Sequence, residues 1–312
     1  MNHQKKPLIF ISLFLLTLSE LPGQVTEAEK SLRTASATET SGWKSENNLA
    51  ITFSQVTFTN WAAGGQNSIS VNGRYNGIFK YARERFSWDN QADIGYGLLI
   101  QGKNPALKTD DRLEIMTKAG YGFSEKLNGA ILGSFKTQFA PGYAGTELDK
   151  PISNLLAPAY LIIAAGADFK PNDQLTLFVA PLTGKVTMVM DEELSALGAF
   201  GVEPGKNMRT EFGGYLRLGY HRDLMQNVGL QTKIDLFSNY LKDPQFIDVS
   251  WEVLILMKIN KFLTASINTH LLYDHDILIG KDLTGDGIAD DFKPRVQFKE
   301  LVGIGLTFKI PQ

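Results

Sequence analysis

Apolar and polar residues alternate along most of this chain. The clearest case is the stretch 66–101. Its first arm places Ile69, Val71, Tyr75, Phe79 and Tyr81 on one parity and Ser68, Ser70, Asn72, Arg74, Asn76 and Lys80 on the other, with Ile78 the exception. The second arm places Phe86, Trp88, Ala92, Ile94, Tyr96, Leu98 and Ile100 against Ser87, Asp89, Gln91, Asp93 and Gln101. A period of two over this length means strand, with one apolar and one polar face. The arms are longer than the usual strand of about five or six residues. Their polar faces carry Arg and Asp, which suits a barrel wall with lipid outside and water inside.

The same pattern predicts further strands at 49–59, 111–123, 127–140, 155–169, from Gln174 onward, 207–221, 228–240, 247–259, 263–273 and 295–310. The first changes parity between Phe53 and Val56, which predicts a bulge near Gln55. The stretch 155–169 is apolar on both faces, and the one after Gln174 is broken by Pro181 and Gly184. Residues 192–200 have room for one or two helical turns. Short links alternate with longer ones, as in outer-membrane barrels. The expected fold is therefore all-β: a closed antiparallel transmembrane β-barrel of about twelve strands, with both termini periplasmic. A secreted soluble sandwich is the competing architecture, but its strands would be shorter. Tyr81, Phe86, Phe123 and Phe169 flank short turns; Trp61, Phe139, Tyr240 and Tyr273 flank long loops. They suggest two interfacial girdles.

Composition adds an address. Lys5 and Lys6 precede an apolar run too short to span a bilayer as a helix, so residues 1–23 read as a signal peptide. Residues 24–48 are rich in Ser, Thr and Glu, with Trp43 the one large apolar side chain, and read as a mobile segment ahead of a barrel at 49–312. The chain has no Cys, which excludes disulfides, thiolate metal sites and thiol nucleophiles. A net charge of −2 gives no case for nucleic-acid binding.

Three stretches carry a family resemblance: Asn60-Trp61-Ala-Ala-Gly64-Gly65-Gln-Asn67-Ser68, Leu-Tyr-Asp274, and Val-Gln-Phe-Lys-Glu300 followed by Gly303-Ile-Gly305. On these the chain, over nearly its whole mature length, resembles an uncharacterised outer-membrane family of Bacteroidota known only as a domain of unknown function. The resemblance implies the outer membrane of a Gram-negative bacterium. It carries no activity across.

The inner parity supplies the first candidate site. Arg74, Arg112, Lys118, Lys136, Arg209, Arg217, Lys233 and Lys258 would face Asp89, Asp93, Glu114, Glu211, Asp235, Asp248 and Glu252, with His270 beside them. Similar numbers of both signs predict ion pairs that brace and partly fill the lumen, because a selective pore would show a bias. A barrel of this size accommodates a narrow channel or a plug of side chains. The second candidate is a loop in which Asp282, Thr284, Asp286 and Asp290 follow calcium-loop spacing, with Lys293 where a bidentate Glu is expected. It is a weak external calcium candidate, set against an ordinary acidic loop; no other cofactor is expected. The third is a hydrolase built on His275, with His221 and His270 as poorer choices. No enzyme is expected, since no partner motif accompanies them. Glu300 shares the lipid-facing parity of Val302 and Ile304 unless a bulge turns it. The first functional reading is a narrow pore for small solutes. A closed barrel acting through its external loops is the second. The expected partners are outer-membrane lipid, the barrel-assembly machinery and small solutes.

Overall fold

Residues 41–57, 66–143, 148, 150–284 and 290–310 are described by a computed structural model. Twelve antiparallel strands close into one barrel. They are β1 Gly42–Val56, β2 Ser68–Arg83, β3 Phe86–Gln101, β4 Leu107–Gly122, β5 Leu127–Thr137 and β6 Ala159–Phe169. β7 Leu175–Met188, β8 Met208–Met225, β9 Val228–Asn239, β10 Ile247–Lys258, β11 Leu263–Tyr273 and β12 Gln297–Ile310 complete the wall. Each strand pairs with its sequence neighbours, and β1 closes the circle against β12.

The alternation sets the two faces. Ile115, Ile131, Ile163, Val302 and Phe298 stand exposed on the outer face. The strands run from 11 to 18 residues, enough to cross a bilayer when tilted. So broad an apolar outer band is stable in lipid and not in water. Polar groups on this face find partners there. The indole N–H of Trp88 donates to Thr117 Oγ1 at 2.8 Å, and that of Trp251 donates to Thr232 Oγ1 at 2.8 Å. The Tyr75 hydroxyl donates to Asn47 Oδ1 at 2.6 Å. Without water, each such group must be satisfied within the protein. Among the described residues no helix is long and apolar enough to cross a membrane.

Two expectations about β1 change. The strand begins at Gly42, so residues 42–48 belong to the barrel and not to a mobile segment. Its register with β2 runs unbroken from Gly42↔Ala82 to Val56↔Ser68, so Gln55 carries no bulge. Lys44, Ser45, Glu46, Asn47 and Asn48 are polar on both parities, which hides the strand from a hydrophobicity pattern. Trp43 anchors it by packing on Tyr81 and Trp88, with ring centroids 5.3 and 5.5 Å away. These rings, with Phe86, make an aromatic cluster at the short-turn end, where β1 starts and β12 finishes. The predicted signal peptide, residues 24–40 and residues 58–65, Trp61 among them, lie outside the described residues.

The irregular seventh strand is explained by a bulge. Pairing slips between Ala180 and Thr183 on the β8 side and between Val179 and Leu182 on the β6 side, and Pro181 and Leu182 both face outward. Proline cannot donate to a ladder, and a bulge removes the demand. Gly166 faces this crowded point: a Cβ there would lie 2.0 Å from the Val179 carbonyl oxygen.

The long links gather at the opposite end. A helix, α1 Glu192–Ala196, is capped by Asp191, whose carboxylate accepts from the Leu194 amide. A 3-10 turn, Ala199–Gly201, follows it. Ala157, Val189, Leu194 and Val202 form a small core between the links 138–158 and 189–207. After β11, Leu278–Lys281 pairs with Asp291–Pro294 as a separate two-stranded ribbon.

Candidate functional site

The lumen has two unlike halves. Along β5 to β9 the inner face is apolar and closed: Ala130, Leu132, Ala164, Phe178, Ala180, Tyr215 and Phe237 form one buried cluster, with Met116 and Ile162 packed on it. This is why residues 155–169 look apolar on both faces. Ile163 meets the outside, while Ile162 and Ala164 fill the interior.

Beside this core runs a belt of charges. Arg74 makes a two-pronged pair with Asp93, at 3.0 and 2.7 Å. Arg112 of β4 lies 3.9 Å from Asp93 and reaches across the lumen to Glu252 of β10 at 2.9 Å. Glu252 meets Lys233 at 3.2 Å, and Lys233 of β9 crosses back to Glu114 of β4 at 3.4 Å. Glu114 also meets Lys136 at 3.3 Å; Lys136 approaches Asp235 at 3.8 Å, and Asp235 holds Arg217 at 2.6 Å. The Tyr215 hydroxyl, at the edge of the apolar core, donates to the same Asp235 at 2.6 Å. Five cations and four carboxylates make up this belt, so its near-balance leaves one surplus positive charge.

Smaller groups flank it. Lys118 pairs with Asp168, and Lys170 bridges Asp168 and Asp89. Nearer the long loops, Lys185 sits among Asp248, Asp274 and Glu211 at 2.5, 3.3 and 3.5 Å. Arg209 joins Glu211 and Asp276, both at 3.0 Å. Lys299 of β12 reaches Asp110 of β4 at 2.5 Å. Asp168, Lys170, Lys185, Asp110 and Lys299 were not among the sequence candidates. Lys185 follows the bulge, where parity has already switched, and Asp110 was read as loop.

The other half of the lumen is open. A cavity of 1090 Å³ runs along β1, β2 and β8 to β12 and touches β3 and β4, from Ser54 and Ser70 near the long loops to Lys258 and Asn227 by the short turns. Amides and hydroxyls such as Asn48, Thr52, Asn72, Gln231, Thr264 and Asn268 line it together with aliphatic side chains such as Leu254 and Leu256. Arg74, Asp93, Lys233 and Glu252 also line it, so the belt forms one flank of the conduit. No member of the apolar core does.

The histidines divide differently from the sequence expectation. His275 stacks on Phe246 with ring centroids 3.6 Å apart, and its Nδ1 lies 3.3 Å from the Tyr273 hydroxyl. His270 lies in the lumen with its Nε2 3.0 Å from Ser250 Oγ. Glu252 approaches the same nitrogen at 4.0 Å. A hydrolytic triad needs its acid on the opposite ring nitrogen from the nucleophile, so this pair lacks that geometry. The only sequence signal for it was the shared inward parity of Ser250, Glu252 and His270.

In the calcium-like loop, Asp286 lies outside the described residues. Asp290 folds back on the backbone: its carboxylate accepts from the Leu283 and Thr284 amides at 3.0 and 3.1 Å. These bonds hold its carboxyl below the usual range, that from the Leu283 amide foremost. Thr284 Oγ1 donates to Asp282 Oδ1 at 3.2 Å. Among the described residues no three acidic or histidine side chains are grouped for a metal ion. Glu300 is exposed on the outer face, and the β11–β12 register runs through it without a bulge.

Residues 53–143 match one family model, described as a protein of unknown function (DUF3078). The matched span contains the Trp61 stretch, whereas the stretches ending at Asp274 and Gly305 lie beyond it. No curated protein matches the chain. Among solved structures, an outer membrane channel from Pseudomonas putida F1 is similar at 10% identity and a TM-score of 0.40, over 88% of this chain and 97% of that one. The translocator domain of the autotransporter NalP from Neisseria meningitidis is similar at 8% identity and 0.35, over 90% and 93%. The porin NanC is similar at 8% identity and 0.33, over 85% and 100%.

Proposed function

We propose that this protein is an outer-membrane channel in which small solutes pass along one side of a half-filled lumen. The supporting observation is the cavity that follows β1, β2 and β8 to β12, with amides and hydroxyls along it and the charged belt on one flank. Spread over a hydrocarbon core of about 30 Å, 1090 Å³ corresponds to a conduit about 7 Å across. That width suits hydrated ions and small polar molecules. On this reading the short turns and both termini face the periplasm and the long loops face outward, as bacterial barrels are arranged. Outer-membrane lipid and the barrel-assembly machinery are then the partners its outer face implies.

The cross-lumen bridges Arg112–Glu252 and Lys233–Glu114 favour a second reading, a closed barrel that works through its loops. Single-channel recording of the refolded protein in a planar bilayer separates the two. The native chain and a chain lacking residues 24–40, which leaves β1 whole, should both show steady small conductance. Conductance only after truncation would make the N-terminal segment a plug. Silence in both, with folding confirmed by gel heat-modifiability, would leave the closed barrel.

A further inference from the structure

One seam of the wall is incomplete. β1 and β12 pair from Asn47↔Ile310 to Thr52↔Gly305, and the pairing stops there. Yet β1 continues to Val56, and β12 begins at Gln297. Phe53–Val56 are held by β2 alone, and Leu301–Ile304 by β11 alone. The break therefore lies in the long-loop half of the seam.

The cavity borders this break. Its lining includes Ser54, Asn72 and Asn268 from the inner face together with Phe53, Val302 and Ile304 from the outer face. The last three are 55%, 69% and 58% exposed on the outer face where β1 and β12 part, so apolar outer side chains and polar inner ones border the same unpaired stretch. Lys299, just above the break, is turned inward onto Asp110 across the lumen, which holds the start of β12 toward β4. At the lower edge Gly305 lets the backbones come close; a Cβ there would lie 2.6 Å from the Ile51 carbonyl oxygen.

We infer that the β1–β12 seam is a lateral opening through which a small amphipathic molecule passes between the lumen cavity and the membrane. Phe53, Val302 and Ile304 receive its apolar part at the outer rim. Amides and hydroxyls of Asn72, Ser54 and Asn268 receive its polar head. The inference deepens the channel reading by giving the conduit a side exit.

The chain has no native cysteine, so single labels are clean. A nitroxide is placed on the full chain at Ser54→Cys, with Phe53→Cys as the lipid-facing control and Asn76→Cys as the control within a fully paired wall. Accessibility to lipid-soluble oxygen relative to a water-soluble nickel chelate should be at least threefold higher at position 54 than at 76, approaching that at 53. Equal ratios at 54 and 76 would overturn the opening. In a second measurement, Gln55→Cys and Val302→Cys are joined by a short bis-maleimide, each thiol adding across one maleimide double bond, and titrated with dansyl-undecanoate in vesicles. Joining the edges should weaken binding at least tenfold relative to the unjoined variant, and unchanged binding would overturn the amphiphile route. Silent bilayers with both results positive would remove the channel reading and leave the opening standing. Steady conductance with equal oxygen ratios would do the reverse.

Discussion

Phe178 is the side chain on which the division of the lumen can be tested. It is 2% exposed and meets Tyr215 edge-on, with centroids 6.3 Å apart at 62°. Phe178→Ala removes a ring from a closed apolar cluster. Such truncations cost about 3–5 kcal/mol, the range including cavity formation. The lost edge-on contact accounts for about 1 kcal/mol of it. The neighbours are fixed strands of a closed barrel and cannot collapse far, so about 4 kcal/mol is expected. Urea unfolding in lipid vesicles, followed by tryptophan fluorescence and gel mobility, measures this. Conductance should stay unchanged, because no residue of the cluster lines the cavity. A loss below about 1 kcal/mol would mean that the ring faces water. A clear rise in conductance would place the solute path through the core. Either result would refute the two-sided lumen.

Further outcomes follow from the same geometry. Ala50 faces the cavity from β1, so Ala50→Trp should cut conductance severalfold while leaving the urea midpoint nearly unchanged. Glu252→Gln leaves Arg112 and Lys233 without the carboxylate they share and raises the surplus of the belt to two positive charges. Reversal potentials in a salt gradient should move toward anions, and stability should fall by about 3 kcal/mol, the lower end for a broken buried pair, since one flank is a polar cavity. The lowered Asp290 carboxyl contributes to loop order above the ordinary Asp range, and that contribution is lost as pH falls through its folded value. Protection of the Leu283 and Thr284 amides from exchange, taken relative to the intrinsic rate at each pH, should therefore fall on acidification, and Asp290→Asn should weaken that dependence.

The wall of the barrel was legible because lipid and water impose opposite demands on alternate residues. It failed where that contrast is missing. Residues 44–48 are polar on both parities, and residues 155–169 are apolar on both because one face meets lipid and the other a packed interior. The inward charges could be assigned by parity alone. Which of them meet could not, because Arg112 and Glu252 are brought together by the stagger of the closed sheet and not by any spacing along the chain. The apolar half of the lumen was hidden for a related reason. Phe178, Tyr215 and Phe237 sit in different strands, each amid charged or irregular positions, and become one cluster only when the wall curves.

The short β1–β12 seam also bears on how the molecule is made. Every other pairing joins strands adjacent in sequence and can form as a hairpin or an extension of one. This pairing joins Asn47 to Ile310, the most distant partners in the wall, and pays the largest loop-closure entropy for the fewest rungs. Assembly should therefore proceed as an open, curling sheet whose two edges meet last. Until then those edges are the unpaired strands exposed to any other β-sheet, and a catalyst of insertion would have to shield them.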